Sequence, residues 1–282
     1  MRASVQGTIQ RKIMADPRTT AAKLTAQLRT TFGDELRSVV VFGSVPRGEA
    51  IPGVSDLNLL VLLDSITAAT LVRTAPLLMQ WIRQGNTPPY IYSWEEWSGM
   101  RETFAIEIAD MNDAREVLWG ADPISTDAVV YSALRLQADR EARDTLLQLR
   151  MRMMVNAQSP TEIGALLLSG VPSFTAYMRA ALRLVGETPG LATRSVIERT
   201  ASLIEADPAP MLTCLDARHA RESFQIPLTD ALVERYLAFV RAQIDHLSRL
   251  PSERPAHRAD SPVQYPSSLS RSPADQRARA EI

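Results

Sequence analysis

A glycine, a serine and an arginine follow the first strongly β-branched run of the chain. Gly43 and Ser44 follow three valines and Phe42, and Arg47 lies shortly beyond them. Glycine lets the backbone approach a ligand closely, and the N–H groups and hydroxyl can then hold a phosphate where the next helix begins. An arginine one turn further on can add a bidentate phosphate contact. The segment therefore predicts a phosphate-binding turn.

An acid and an amide stand at the beginning of the next apolar run. Asp56 and Asn58 are separated by one residue. Side chains two apart on a strand point to the same side of a sheet, so both are expected to face one site. Carboxylate and amide oxygens are ligands that a hard cation such as Mg²⁺ accepts.

The composition is that of a globular protein. The 282 residues are 45% hydrophobic and 22% charged, which supports a substantial core and argues against a disordered chain. Because 31 basic and 32 acidic residues leave a formal net charge of −1, nucleic acid is not expected as a partner. Cys214 is the only cysteine, which excludes an intrachain disulfide and a multi-cysteine zinc site.

No segment has the pattern of a membrane span or a secretory signal. Residues 1–17 lack an apolar core, and the most hydrophobic run, residues 57–63, is too short to cross a bilayer. We therefore expect a soluble, cytoplasmic protein with no membrane partner. The sequence does not set the oligomeric state and leaves a homodimer open.

Alternating helix and strand patterns predict an α/β region over residues 21–122. Helical spacing covers residues 21–32 and 67–84, and Pro76 is expected to kink or split the second helix. Strands are expected at residues 36–42, 57–63, 88–92 and 104–108. A short helix is expected at residues 110–119. Together these elements predict a small mixed sheet.

Helical patterns dominate residues 123–250. They predict helices at residues 131–155, 161–168, 172–185, 192–206, 210–220 and 230–250. The expected fold class is therefore α/β (α+β), with a small mixed sheet followed by an all-α helical bundle. Residues 1–20 form an N-terminal extension, and residues 251–282, rich in proline, serine and arginine, are expected to be a disordered tail.

The order of these motifs resembles the polymerase-β-like nucleotidyltransferase superfamily. The signature is a strand ending in Gly43-Ser44, a gap, and two acids separated by one residue, here Asp56-Leu57-Asn58. The Gly-Ser-x-x-Arg-Gly-Glu variant resembles the minimal bacterial branch, and kanamycin nucleotidyltransferase is more distantly similar. Residues 104–111 resemble the family strand that supplies a third acid, which would be Glu107. The resemblance covers roughly residues 21–250.

The resemblance implies transfer of a nucleoside monophosphate from an Mg·NTP to a hydroxyl of a small molecule or a protein. In the family, Mg²⁺ ions held by carboxylates neutralise the triphosphate and align the hydroxyl, and the third acid helps to deprotonate it. The site residues so implied are Asp56 and Glu107 as catalytic acids, Asp56, Asn58 and Glu107 as metal ligands, and Gly43, Ser44 and Arg47 as nucleotide-binding residues.

Asn58 departs from the family pattern, because an acid is expected at that position. The amide oxygen can ligate Mg²⁺ but carries no charge, so the loss of a bridging carboxylate lowers the rate by on the order of a hundredfold or more. An alternative therefore stays open: a catalytically inactive protein that senses a nucleotide or binds a partner, antitoxin-like or regulatory. Glu107 as a structural acid paired with an arginine, and Arg47 as a solvated loop charge, also stay open.

A third interpretation concerns the last predicted helix. Arg241 and His246 fit the Arg-x4-His spacing of the HEPN ribonuclease motif. The spacing places both side chains on one helix, about a turn and a half apart. This interpretation assigns RNA cleavage to the bundle.

Overall fold

The structure is a computed structural model that describes residues 16–51, 55–124, 129–221 and 223–253. A four-stranded mixed sheet with flanking helices forms the N-terminal part, and helices form the remainder of the described chain. This architecture confirms the expected fold class. The domain limits at residues 122 and 250 stay predictions. Most of the expected N-terminal extension and tail lies outside the described residues.

The N-terminal part begins with helix α1, which starts at Pro17 rather than at residue 21. The earlier start has a local cause: the Asp16 carboxylate accepts a hydrogen bond from Thr19 N at 2.9 Å and caps the helix. The elements that follow α1 (Pro17–Phe32) are a 3₁₀ turn (Gly33–Glu35), β1 (Leu36–Phe42), β2 (Asn58–Leu63), α2 (Ala68–Arg83), β3 (Tyr90–Ser93), α3 (Trp94–Ser98), α4 (Ala105–Asp113) and β4 (Arg115–Gly120). Pro76 lies inside α2, which is a single helix.

Two of the predicted elements are wrong. The strand expected at residues 104–108 is the beginning of α4, and the helix expected at residues 110–119 is the end of α4 followed by β4. The apolar residues of this stretch fit both periods, and a short apolar run does not distinguish a strand from a buried helix. Packing on two sides favours the helix, because Ile108 and Met111 contact the sheet while Ala105 and Ala109 contact the bundle.

The sheet has the order β3-β2-β1-β4, with β2 and β3 parallel and the other pairs antiparallel. In this register Phe42 at the end of β1 pairs with Asn58, the first residue of β2, and with Arg115, the first residue of β4. Tyr90, the first residue of β3, pairs with Leu60 of β2. The end of β1 and the beginnings of the other three strands therefore lie at one edge of the sheet, which we call the site edge.

The two faces of the sheet contact different helices. Val40, Phe42, Leu60 and Leu62 pack with residues of α3 and α4, whereas the alternate side chains of β1 and β2 pack against α1 and α2. Because side chains alternate along a strand, Asn58 shares the face of Leu60. Asn58 therefore points to the face that α4 covers.

The helical part contains α5 (Tyr131–Val155), α6 (Pro160–Leu184), α7 (Thr193–Leu203), α8 (Ala209–Ala220) and α9 (Ala231–Arg249). The prediction of two helices at residues 161–168 and 172–185 is wrong, since α6 is one helix with Pro172 inside it. Pro172 is exposed, while Val171 and Phe174 beside it are buried in the bundle core. Continuous burial along α6 thus outweighs the hydrogen bond that proline removes.

None of the helices in the described part of the chain is both long enough and apolar enough to cross a membrane.

Candidate functional site

Gly43 and Ser44 lie in a turn at the site edge. Residues 43–48 form turns, so phosphate contacts here would come from the N–H groups of a turn. Backbone hydrogen bonds from Gly48 N to Val45 O (3.1 Å) and from Glu49 N to Ser44 O (2.9 Å) close the turn. Gly43 has a φ of 83°, a left-handed conformation that side chains disfavour.

Asn58 lies against this turn. A Cβ added to Gly43 would come within 2.8 Å of Asn58 Nδ2. The antiparallel pairing of β1 with β2 creates this proximity, because Phe42, which precedes Gly43, pairs with Asn58. The turn after β1 and the polar residue that begins β2 therefore meet, as the sequence predicts.

Asp56 is exposed and precedes the first residue of β2 by two positions. The negative charge of Asp56 acts to raise the pKa of the Arg218 guanidinium on α8 of the bundle. Burial has the larger effect, so the pKa of Arg218 is lowered overall. The bundle thus supplies a partly desolvated cation within electrostatic reach of this acid.

Glu107 lies in the first turn of α4 and is half-buried. Gln137 of α5 donates hydrogen bonds from its Nε2 to Glu107 Oε2 (3.0 Å) and to Glu141 Oε1 (2.9 Å). Burial raises the pKa of Glu107; the hydrogen bond from Gln137 opposes the shift, and the charges of Glu141 and Asp110 add to it. A carboxyl group with a raised pKa is suited to general acid–base chemistry near neutral pH.

Tyr90 and Tyr92 of β3 lie near Glu107. Burial raises the pKa of both phenols, and the charge of Glu107 is the next largest cause. The strand beside β2 therefore presents tyrosines, while the acid comes from the helix above the same face. Among the described residues Glu107 forms no ion pair with an arginine, and Gln137 donates a hydrogen bond to it.

Arg47 is buried, with its side chain only 6% exposed. Its Nη2 lies 3.0 Å from Asp110 Oδ1 of α4. The same oxygen lies 3.9 Å from Nη2 of Arg183 in α6, and Arg183 also pairs with Asp113. Arg47 therefore points into the junction of the turn, α4 and α6, and it is not a solvated loop charge.

The donor set at the site edge fits one Mg²⁺ ion better than two. Mg²⁺ is commonly held by one or two carboxylates together with substrate phosphates, and Asp56 and the Asn58 amide offer oxygen donors of this kind. A bridge between two ions requires a second carboxylate, which Asn58 does not supply. Among the described residues, no group of three or more His, Cys, Asp or Glu side chains is placed to hold a metal ion.

A pocket of about 380 Å³ is lined by residues of the turn, α4 and β4. Its lining includes Pro46, Asp113, Arg115 and Leu191. None of the predicted site residues lines it, so the pocket does not contain the predicted site.

Sequence patterns missed Arg218 and Gln137. Both belong to helices of the bundle and reach the site only through tertiary packing. Neither lies in a motif with characteristic spacing, so no local signal could have identified them.

The Arg241 and His246 pair of the ribonuclease interpretation is not brought together. The two residues are five apart on α9, which separates their directions by about 140° around the helix. Arg241 is exposed and pairs with Glu234 at 3.1 Å, whereas burial lowers the pKa of the half-buried His246. Cys214 is buried, and desolvation raises the pKa of its thiol to about 12, so it is an inert core residue.

No protein-family model and no curated protein sequence matches the chain. Among solved structures, the chain is similar to the crystal structure of spectinomycin adenyltransferase AAD(9) from Enterococcus faecialis with ATP and spectinomycin. The TM-score is 0.52 at 14% sequence identity, and the match covers 83% of this chain and 100% of that chain. At this identity the similarity concerns the fold: the chain has the fold of a nucleotidyltransferase.

Proposed function

We propose that the protein transfers a nucleoside monophosphate from an NTP to a hydroxyl group of a small molecule. The similar AAD(9) structure contains ATP and spectinomycin, which supports this pair of substrates for the shared fold. The observation that carries the proposal is the meeting of Gly43 and Asn58 at the site edge, with Glu107 on the helix that covers the same face. A protein hydroxyl as acceptor is less well supported.

The phosphates of the NTP bind at the turn that begins with Gly43 and Ser44. Arg218 contributes a positive charge from the bundle, where partial burial strengthens its attraction to phosphate oxygens. Asp56 and Asn58 hold the Mg²⁺ ion that accompanies the nucleotide. That ion supplies charge neutralisation of the triphosphate.

In the transfer step, the acceptor hydroxyl oxygen forms a bond to the α-phosphorus. The bond from this phosphorus to the bridging oxygen breaks, and pyrophosphate leaves. Glu107 accepts the hydroxyl proton at Oε1, while Gln137 holds Oε2 through its amide. The raised pKa of Glu107 favours this proton transfer once the carboxyl is ionised.

The second candidate function is nucleotide binding without transfer. Asn58 favours it, because an uncharged ligand at this position lowers the affinity for metal and removes a bridging carboxylate. This candidate keeps the fold and the phosphate-binding turn but assigns the protein a sensing or partner-binding role. Membership of the polymerase-β-like superfamily and the relation to kanamycin nucleotidyltransferase stay predictions, as do the cytoplasmic location and the homodimer.

The test is an assay of nucleotide transfer from α-³²P-labelled NTPs with Mg²⁺, in which spectinomycin and other aminocyclitols and aminoglycosides serve as acceptors. Transfer by the wild-type chain that Asp56→Ala abolishes would support the first candidate. Asn58→Asp is expected to raise the rate by at least about tenfold, and Asn58→Ala serves as its matched control.

If the wild-type chain shows no nucleotide transfer and the Asn58→Asp variant does, the first candidate is wrong for the natural protein. Binding of ATP that persists in EDTA would then support the second candidate. Binding that requires Mg²⁺ and is lost in Asp56→Ala supports the first.

A further inference from the structure

Six buried or half-buried charged side chains join the turn, α4 and α6. We call this group the junction cluster; it consists of Arg47 and Glu49 of the turn region, Asp110 and Asp113 of α4, and Arg179 and Arg183 of α6. Three cations face three anions, so the formal charges balance. The cluster spans the boundary between the sheet region and the bundle.

The contacts of the junction cluster form two separate series. In the first, Asp110 Oδ1 lies between Arg47 Nη2 (3.0 Å) and Arg183 Nη2 (3.9 Å), and Arg183 also donates to Ala109 O at 3.0 Å. In the second, Glu49 accepts from Thr193 N at 2.5 Å and lies 3.7 Å from Arg179. Both series of contacts connect the turn to the bundle region.

The arginines of the cluster are too deeply buried to serve as surface charges. The side chains of Arg47, Arg179 and Arg183 are 6%, 4% and 9% exposed. Burial, with the charge of Arg47 as the next cause, lowers the pKa of Arg179 to about 10. Arg47 Nη2 and Asp110 Oδ1 form an ion pair at 3.0 Å without the alignment of a hydrogen bond, and the buried Arg47 Nε has no hydrogen-bond partner in the described structure. Removal of Asp110 would leave Arg47 buried and unpaired, which is strongly unfavourable, and removal of Arg47 would leave Asp110 only its 3.9 Å contact with Arg183.

Asp110 connects this cluster to the candidate acid. It follows Glu107 by three residues on α4, so the two side chains lie on neighbouring positions of one helix surface. An ion pair that holds Asp110 therefore also sets the rotation of α4, and with it the direction of Glu107. The other end of the same pair, Arg47, belongs to the turn that begins with Gly43.

We propose that Arg47 is a positioning residue that, through Asp110 and Arg183, fixes the phosphate-binding turn and the Glu107 helix to each other and to the bundle. This role differs from the direct triphosphate contact that the family resemblance implies for Arg47. The effect on nucleotide binding rests on the proposed function, whereas the fixing of the turn does not.

The first experiment is a double-mutant cycle on the full chain with Arg47→Met, Asp110→Asn and their combination. In urea unfolding, the double variant is expected to be no less stable than the less stable of the two single variants. The effects of the two substitutions on the unfolding equilibrium constant should therefore depart from additivity by at least tenfold. Additive effects within twofold would overturn the proposal. Arg47→Lys, which keeps the charge, is expected to restore part of the loss.

The second experiment measures amide hydrogen exchange at Gly48 and Glu49, whose N–H groups close the turn. Both single variants are expected to accelerate exchange at these two amides by at least tenfold. Leu247→Ala, a substitution in the bundle core, is the matched control, because it lowers stability without touching the cluster. If Leu247→Ala accelerates exchange at Gly48 and Glu49 as much as Arg47→Met and Asp110→Asn do, the proposal is overturned.

The third experiment measures the affinity for Mg·ATP. A positioning role predicts that Arg47→Met and Asp110→Asn weaken binding to the same extent and that the double variant is no weaker. A loss of at least tenfold in Arg47→Met, with no change in Asp110→Asn, would make Arg47 a direct phosphate ligand and overturn the proposal. If the wild-type chain does not bind Mg·ATP, the proposed function fails, and the cycle and the exchange data alone decide the positioning role.

Discussion

Gly43 and Asn58 adjoin so closely that a Cβ on residue 43 would come 2.8 Å from Asn58 Nδ2. The contact joins the end of β1 to the beginning of β2 at the point where the phosphate-binding turn starts. Two separate constraints thus apply to Gly43: its φ of 83° and the volume that Asn58 occupies. Each constraint can be tested on its own.

Gly43→Ala is expected to lower the free energy of unfolding by more than the about 1–3 kcal/mol that a left-handed backbone costs a non-glycine residue. Gly48→Ala is the matched control, because Gly48 has a φ of 74° but no neighbour within 4 Å of an added Cβ. Urea unfolding of both variants measures the difference. When Asn58 is also replaced by alanine, the difference in unfolding free energy between the Gly43→Ala and Gly48→Ala variants is expected to decrease. An unchanged difference would show that Asn58 does not restrict the space at position 43.

Glu107→Gln is expected to stabilise the protein at neutral pH and to have little effect in acid. A raised pKa means that the folded protein binds the Glu107 proton more tightly than the unfolded chain does. The resulting stability is present below the unfolded-state pKa of about 4.3 and is lost as the pH rises through the raised pKa. Glutamine mimics the protonated group and keeps a partner for Gln137.

Urea unfolding between pH 4 and pH 8 measures this effect. The curves of the wild-type chain and Glu107→Gln should converge at low pH and separate as the pH rises. Convergence at high pH instead would mean that the pKa of Glu107 is lowered. In the transfer assay, Glu107→Gln is expected to abolish the rise of rate with pH.

Arg218→Met is expected to weaken ATP binding by about tenfold or more, because a hydrogen bond to a charged group contributes about 1.5–3 kcal/mol. Arg218→Lys keeps the charge and should retain part of the affinity. Arg235→Met is a suitable control, since Arg235 is an exposed arginine of α9 that pairs with Asp207 at 3.6 Å. Calorimetric titration with ATP measures all three variants; equal losses in Arg218→Met and Arg235→Met would remove Arg218 from the site.

Asn58→Asp is expected to make the thermal stability sensitive to Mg²⁺. A second carboxylate beside Asp56 repels it in the absence of metal and binds a cation more strongly in its presence. Millimolar Mg²⁺ with ATP should therefore raise the Tm of Asn58→Asp more than that of the wild-type chain. Thermal unfolding of both proteins is measured with ATP and Mg²⁺ and again with EDTA. An identical rise of Tm in the two proteins would exclude position 58 as a metal ligand.

Local patterns predicted much of the fold. The helix expected at residues 131–155 is α5 with the same bounds, and the β-branched run that ends at Phe42 is β1. Such elements have an unambiguous period and clear breakers at their ends. The strand expected at residues 104–108 is wrong because α4 is buried on two sides, so its apolar residues do not form a single stripe.

The residue types at the site edge follow directly from the sequence: a glycine able to adopt a positive φ at position 43, an acid at position 56 and an amide at position 58. Tertiary structure alone decided the environment of the other site residues. It buried Arg47 against Asp110, brought Arg218 within electrostatic reach of Asp56 and enclosed Glu107 with Gln137. The physical reason is that desolvation and charge pairing depend on which distant segments pack together, whereas backbone preference and donor chemistry belong to each residue.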